Sequence, residues 1–258
     1  MHELPLVFFT VLAQASAGLF ILMTLNKLII KQPDDKAMFV SGVISLVIVG
    51  VAGFSAILHL GQPFRAINAL FGTGRSPMSN EIVSCSIYGG LLFAHLAVSY
   101  LRPQMTNAIK ASRIATAIAG IALLVLIPKV YTIETIPQWN TSYTMIQMLL
   151  AAFTAGGALA MILQPNRINL AVTVLSVMLS VFILPSYLAF LSQTAPHMLE
   201  LGMSFWNAKF ALYVVAVALA VLAYRKNWMP LAIGSSAVLI IAELSGRIAF
   251  YDLWSINM

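Results

Sequence analysis

Charge is scarce in this sequence: charged residues make up 9% of its 258 positions, whereas hydrophobic residues make up 60%. A chain with so little charge is not an ordinary soluble domain. Its formal net charge of +6 does not indicate a nucleic-acid-binding surface. Most lysines and arginines stand at the ends of apolar segments, where they orient membrane helices. The single cysteine, Cys85, excludes an intramolecular disulfide and an all-cysteine iron–sulfur site.

Long apolar segments make up most of the chain. A bilayer core about 30 Å thick needs roughly 20 apolar residues per helix, and eight segments of suitable length follow one another. This pattern predicts an all-α fold with one polytopic membrane domain over residues 1–258, a bundle of eight transmembrane helices joined by short links. The predicted spans are Leu4–Ile30, Phe39–Leu60, Ile82–Leu101, Ile109–Val130, Tyr143–Leu163, Ile168–Leu191, Asn207–Ala223 and Trp228–Phe250.

The distribution of positive charge predicts the orientation of these helices. The connections after the first, third, fifth and seventh spans hold nine of the 14 lysines and arginines, and the opposite side holds five. By the positive-inside rule, both termini lie outside the cytoplasm, which is the periplasm for a bacterial inner membrane. No basic segment precedes the first span, which is also too long for the core of a signal peptide, so we expect no cleavage.

The connection between the second and third spans concentrates the residues that are suited to chemistry. His59 stands at the end of the second span, and Arg65 follows in a loop rich in glycine and proline. Glu81 follows Ser79 and Asn80, two good N-cap residues, so we expect it in the first turn of the third helix. The same residues also have simpler explanations. His59 would be a hydrogen-bonded histidine at the membrane interface, Arg65 a surface charge, and Glu81 a carboxylate that the helix dipole favours. Ionisable groups at membrane depth are, however, rare and usually functional.

Two other polar features have simpler interpretations. Tyr131 and Trp139 lie in a connection on the same side as His59, and we interpret them as aromatics of the headgroup belt. Glu243 and Arg247 are four residues apart in the last span and can form an ion pair. We interpret such a pair inside a bundle as structural rather than catalytic.

Five short runs give the sequence a specific resemblance. With them the chain resembles, along its whole length, the membrane anchor subunit of dimethyl sulfoxide reductase. The most specific run reads HLGQPFRAINAL, and the likeness extends to the plan of eight helices with outward termini. The runs are His2–Leu6, His59–Leu70, Ser79–Glu81, Trp139–Thr141 and Glu243–Tyr251.

The resemblance implies a complex of three subunits in the bacterial inner membrane. The anchor binds and oxidises menaquinol from the quinone pool near the periplasmic face, an iron–sulfur subunit takes the electrons, and a molybdenum-cofactor subunit reduces dimethyl sulfoxide or a related S- or N-oxide in anaerobic respiration. In the family, the motif histidine and the glutamate that begins the third helix belong to the quinol site, and they match His59 and Glu81. Arg65 can hold the oxygen end of a ligand with its planar guanidinium.

The residues themselves agree with part of this interpretation. The chain has too few metal ligands for redox centres of its own, so we expect no haem or metal here and direct transfer of electrons to a partner. A histidine can hydrogen-bond a quinol hydroxyl, and a nearby carboxylate can take the proton that is released. His59 and Glu81 are therefore the predicted catalytic residues.

Two other functions stay open at this point. A haem-b quinol cytochrome needs histidine ligands, and His59, His95 and His197 are available. His95, however, lies about 21 Å along the third helix from Glu81 at 1.5 Å per residue, so it belongs near the other membrane face. A proton-coupled secondary transporter could use Glu81, His95, Glu243 and Arg247, but no inverted repeat or paired broken helices are visible in the sequence.

Overall fold

Eight long α-helices make up nearly all of the structure. The computed structural model describes residues 3–59 and 63–254, with the backbone alone for residues 59 and 63–66. Within these ranges there is no strand, and eight helices are long and apolar enough to cross a membrane, so the predicted all-helical fold is confirmed. The helices are α1 (Leu4–Ile29), α2 (Asp35–His59), α3 (Pro77–Leu101), α4 (Thr106–Lys129), α5 (Ser142–Leu163), α6 (Arg167–Thr194), α7 (Pro196–Lys226) and α8 (Met229–Asp252).

Consecutive helices pack as antiparallel neighbours, as the short links predict. Along α7 and α8 the contacts run in opposite directions. Gly202 faces Ala249, Lys209 contacts Glu243, and the hydroxyl of Ser235 donates to the carbonyl of Ala216. The connections therefore alternate between the two ends of the bundle. We call the end with the α2–α3, α4–α5 and α6–α7 connections the Glu81 end, and the opposite end the lysine end.

Helix α1 forms the centre of the bundle. It packs against α2, α4, α5 and α8, and 17 of its 26 residues are buried. Its contact with α5 is made by backbone on backbone: a Cβ on Gly18 would lie 1.9 Å from the carbonyl oxygen of Ala152, and one on Gly156 would lie 2.5 Å from the amide nitrogen of Leu19. Small residues permit this close approach, which is a common way for membrane helices to associate.

The seventh span differs most from its prediction. The sequence predicted Asn207–Ala223, whereas α7 runs for 31 residues from Pro196 to Lys226. Proline at the first helical position is favourable, because its missing N–H needs no partner there. His197, Glu200 and Lys209 lower the hydropathy of this half of the helix without interrupting its backbone hydrogen bonds.

A short 3-10 helix, Pro63–Gly72, lies in the α2–α3 connection. It packs on the start of α3, where a Cβ on Gly72 would lie 2.4 Å from the Ser79 hydroxyl oxygen. The side chain of Asn80 accepts a hydrogen bond of 2.6 Å from the amide of Gly74 and so closes the turn before α3. This local structure fixes the position at which α3, and with it Glu81, begins.

Candidate functional site

Glu81 lies one turn deeper than the sequence predicted. Helix α3 begins at Pro77 with Ser76 as its N-cap, whose hydroxyl accepts from the amide of Ser79. Glu81 is therefore in the second turn of α3 rather than the first, because proline at the first helical position starts the helix before the predicted caps. The expectation that Ser79 or Asn80 caps α3 is thus wrong, and Asn80 instead holds the preceding turn.

The carboxyl group of Glu81 is buried and incompletely satisfied. The residue is 6% exposed, and among the residues that the structure describes no group forms a hydrogen bond with Oε1. Burying a polar atom without a hydrogen bond costs free energy, so such an atom in a folded protein calls for an explanation. A ligand that donates a hydrogen bond, or a proton taken up from one, would satisfy this oxygen.

A pair of tyrosines lies near Glu81. The hydroxyl of Tyr131, in the α4–α5 connection, is hydrogen-bonded to the hydroxyl of Tyr251 near the end of α8. Burial raises the pKa of the Tyr131 phenol well above its usual value, and the charges of Tyr251 and then Glu81 raise it further. Glu81 is thus within electrostatic range of this pair, and the three residues come from three separate parts of the chain.

Aromatic side chains surround the tyrosine pair. The rings of Trp139 and Phe250 stack at 5.1 Å between centroids, and the indole Nε1 of Trp139 donates to the carbonyl of Phe250 at 2.9 Å. Tyr131 contacts both rings edge to face. Tyr131 and Trp139 are buried, so the interpretation as exposed headgroup-belt aromatics is wrong: they fasten the α4–α5 connection to the end of α8.

The last helix carries two buried charges with separate partners. Arg247 Nη2 donates to Oε1 of Gln14 on α1 at 2.8 Å, whereas Glu243 forms an ion pair of 3.1 Å with Lys209 on α7. Glu243 also accepts hydrogen bonds from Thr154 and Tyr213. The predicted Glu243–Arg247 pair is therefore wrong, because the antiparallel packing of α7 places a lysine beside Glu243. Glu243 and Arg247 both line one cavity of about 20 Å³. The polar surroundings of the two residues are therefore continuous, and they are tightly packed.

His59 and Arg65 were the other two residues that the sequence singled out for this site. The backbone places His59 at the last position of α2 and Arg65 in the 3-10 helix, both at the Glu81 end. Their side chains lie outside the described residues, so their roles stay predictions. His197, at the start of α7, is exposed at the same end of the bundle.

His95 lies at the lysine end, as its distance along α3 predicts. Its ring Nδ1 is 2.9 Å from the hydroxyl of Ser112, and its ring packs edge to face on Phe20. It lines a cavity of about 490 Å³ together with residues of α1, α2 and α4. Among the described residues, no three His, Cys, Asp or Glu side chains form a group that could hold a metal ion.

Eight apolar helices with a buried, partly unsatisfied carboxylate near one end define a multi-pass membrane protein with a candidate site at membrane depth. Over residues 1–253, the chain matches the family model described as DMSO reductase anchor subunit (DmsC). The chain belongs to this family of membrane anchor subunits, which confirms the resemblance noted from the five short runs.

Curated relatives have names that agree with the family. The C subunit of the anaerobic dimethyl sulfoxide reductase of Haemophilus influenzae is 35% identical over 173 residues, which cover 65% of this chain and 61% of the relative. The YnfH subunit of an anaerobic dimethyl sulfoxide reductase of Escherichia coli is 34% identical over 67% of this chain and 61% of its own length. The C subunit of the Escherichia coli enzyme is 30% identical over an alignment of 280 positions, gaps included, which covers 98% of this chain and 95% of the relative.

Several residues of the site escaped the sequence analysis. Tyr131, Tyr251 and Gln14 lie far apart in the chain, and nothing in their local sequence relates them to Glu81. The run that ends in Phe250-Tyr251 did belong to the resemblance, which was the only signal that the end of α8 matters. The pairing of Lys209 with Glu243 could have been found only from the register of α7 on α8.

Proposed function

We propose that this chain is the quinol-oxidising membrane subunit of a respiratory oxidoreductase in the bacterial inner membrane. It binds menaquinol at the Glu81 end of the bundle, near the periplasmic face, and passes the electrons to an iron–sulfur subunit. That subunit supplies a molybdenum-cofactor subunit, which reduces dimethyl sulfoxide or a related S- or N-oxide. The family to which the chain belongs and the names of its relatives support this assignment.

The buried carboxylate of Glu81 is the observation that carries the proposal. Oxidation of a quinol releases two electrons and two protons, so the site needs a group that can take up a proton from a ring hydroxyl. Glu81 Oε1 has no hydrogen-bond partner among the described residues, and it is shielded from bulk solvent. A carboxylate in this state can accept a hydrogen bond from the hydroxyl and then its proton.

The surrounding residues have positioning roles in this proposal. The Tyr131–Tyr251 pair and the stacked rings beside it fasten the α4–α5 connection to the end of α8, and the tyrosines lie within electrostatic range of Glu81. His59 accepts a hydrogen bond from the second ring hydroxyl, and Arg65 binds the oxygen end of the ligand. The electrons leave to the partner subunit on the side of the bundle that carries His59, Arg65 and His197.

Replacement of Glu81 by glutamine in the assembled complex tests this function. Glu81→Gln keeps the shape but cannot take the proton, and loss of general acid–base help typically costs about 10²–10⁴-fold in rate. Quinol-dependent reduction should fall within this range, whereas reduction with an artificial donor that feeds the catalytic subunit directly should be unchanged. Glu134→Gln is the matched control, because Glu134 is exposed in the connection at the same end. Normal quinol-dependent turnover in Glu81→Gln would overturn the proposal.

A further inference from the structure

A large cavity lies at the lysine end, away from the candidate quinol site. Its volume is about 490 Å³, and it opens between α1, α2, α3 and α4. This volume falls within the range of ligand-binding pockets, about 300–1,000 Å³. The proposed oxidation of quinol does not use this cavity, so its lining needs an explanation of its own.

The lining of the cavity is strongly positive. Lys27, Lys36, Lys110 and Arg113 line it, together with one carboxylate, Asp35, for a net formal charge of +3. Asp35 forms an ion pair of 2.9 Å with Lys27. Lys36, Lys110 and Arg113 make no ion pair or hydrogen bond with any residue that the structure describes. Three cations that share a cavity repel one another, and an anion between them would relieve this repulsion.

Arg113 is the most informative of these groups. It is 7% exposed, and its Nε is buried without a hydrogen-bond partner among the described residues. The hydroxyl of Ser99, which also lines the cavity, is likewise buried without a hydrogen-bond partner among the described residues. A guanidinium has only donors, so its natural partner is a carboxylate or a phosphate, which it can bind with two parallel hydrogen bonds. Asp35 is within electrostatic range of Arg113 but does not bond to it.

The N-terminus of α4 also points to an anion. Its first residue, Thr106, lines the cavity, as does Asp35 at the start of α2. The α2 end, however, is already capped, because Asp34 Oδ1 accepts a hydrogen bond of 2.7 Å from the amide of Ala37. Met105, the N-cap of α4, provides no side-chain cap for the first-turn amides. Helix N-termini carry a partial positive charge and unpaired N–H groups, and they are common binding sites for phosphate groups.

We propose that this cavity binds the phosphate group of an anionic phospholipid. Met38, Phe39 and Ile109 form apolar walls, and the rings of Phe39 and Tyr100 lie 6.3 Å apart at the cavity. Inorganic phosphate would make no apolar contacts with these walls, whereas the glycerol backbone and the first methylene groups of a phospholipid would pack against them. Basic pockets between transmembrane helices bind anionic lipid headgroups in this way, at the side that carries the excess of positive charge.

Thermal unfolding of the complete complex, purified in a neutral detergent and freed of lipid, tests the proposal. Phosphatidylglycerol should raise the unfolding temperature of the wild type at concentrations where phosphatidylcholine has little effect. Each basic residue near a lipid headgroup contributes about 1 kcal/mol, which corresponds to about a fivefold change in affinity. Lys110→Gln and Arg113→Gln should therefore each need about fivefold more phosphatidylglycerol for the same rise in unfolding temperature.

Arg225→Gln is the matched control, because it removes one exposed positive charge from the same end but outside the cavity. It should keep the wild-type response. Lys110 is exposed, so Lys110→Gln tests the site even where Arg113→Gln does not fold. Stabilisation by inorganic phosphate at matched ionic strength as large as that by phosphatidylglycerol, and lost in Lys110→Gln, would assign the site to free phosphate and overturn the lipid as its ligand. Equal stabilisation by both lipids, or equal loss in Lys110→Gln and Arg225→Gln, would overturn the proposal.

Discussion

The ammonium of Lys209 lies 3.1 Å from Oε2 of Glu243, and both side chains are almost completely buried. The other carboxylate oxygen accepts hydrogen bonds of 2.5 Å from the hydroxyls of Thr154 and Tyr213. Every oxygen of Glu243 is therefore satisfied, whereas Glu81 has one oxygen without a described partner. This difference separates a carboxylate that ties helices together from one that is available for a ligand.

The first prediction concerns the stability of the Lys209–Glu243 pair. Lys209→Met leaves the carboxylate of Glu243 buried without its counter-ion, and removal of one partner from a buried pair costs about 3–5 kcal/mol. Thermal unfolding of the complex in detergent should show a clear loss, and adding Glu243→Gln should recover part of it. Lys226→Met, at the exposed end of the same helix, is the control. Equal stability of Lys209→Met and Lys226→Met would contradict this role.

The contact between α1 and α5 supplies the second prediction. A Cβ on Gly156 would lie 2.5 Å from the backbone nitrogen of Leu19, whereas a Cβ on Gly90 would meet no atom within 4 Å. Gly156→Ala should destabilise the protein by about 1–3 kcal/mol, as overpacking does, and lower the yield of folded protein. Gly90→Ala should be neutral or stabilising by up to about 1 kcal/mol, because alanine has the higher helix propensity. The opposite ranking would contradict the close helix contact.

The number of helices and most of their ends could be predicted from hydropathy alone. Length and apolar composition are local properties, so α1 and α5 begin and end within a residue or two of their predicted limits. The start of α7 could not be predicted in this way, because His197 and Glu200 depress the hydropathy of residues 196–206, which are nevertheless helical. Lys209, within the predicted span, has its charge balanced by Glu243, a partner supplied by another helix.

The candidate site could be predicted only in part. Glu81 stood out because a carboxylate in an apolar segment is rare, and in the structure it is buried within electrostatic range of Tyr131. Its neighbours come from the α4–α5 connection and the end of α8, and their proximity depends on tertiary packing. The cationic cavity at the lysine end had no signal beyond its charge, which the positive-inside rule already explains.

Membrane topology is the third prediction. Reporter fusions after Met258 and within residues 72–76 should both report a periplasmic location, because the lysine end carries nine of the 14 positive side chains. A fusion within the α1–α2 connection, next to Lys36, should report a cytoplasmic location and serves as the control. A cytoplasmic signal from either of the first two fusions would contradict the predicted orientation.

The fourth prediction locates the iron–sulfur subunit at the Glu81 end, because electrons drawn from a quinol there must leave to a nearby partner. In a Cys85→Ser background, His197→Cys and Gln193→Cys should crosslink to that subunit, since both residues are exposed at this end. Lys31→Cys and Arg225→Cys, exposed at the lysine end, are the matched controls. Crosslinks formed only by these two controls would place the partner on the other face and contradict the prediction.

The last prediction separates hydrogen bonding from proton transfer within the proposed quinol site. His59→Arg keeps a polar side chain of similar length at the end of α2 but removes the hydrogen-bond acceptor, because a guanidinium can only donate. Loss of one hydrogen bond worth about 1.4 kcal/mol weakens binding about tenfold, so a quinol-analogue inhibitor should lose affinity by this factor while the complex still assembles. Glu81→Gln, by contrast, should lower quinol-dependent turnover more than inhibitor affinity, because the amide still accepts a hydrogen bond. If both variants bind the inhibitor and oxidise quinol normally, the ligand lies elsewhere, and the polar region around Arg247 and Gln14 becomes the next candidate.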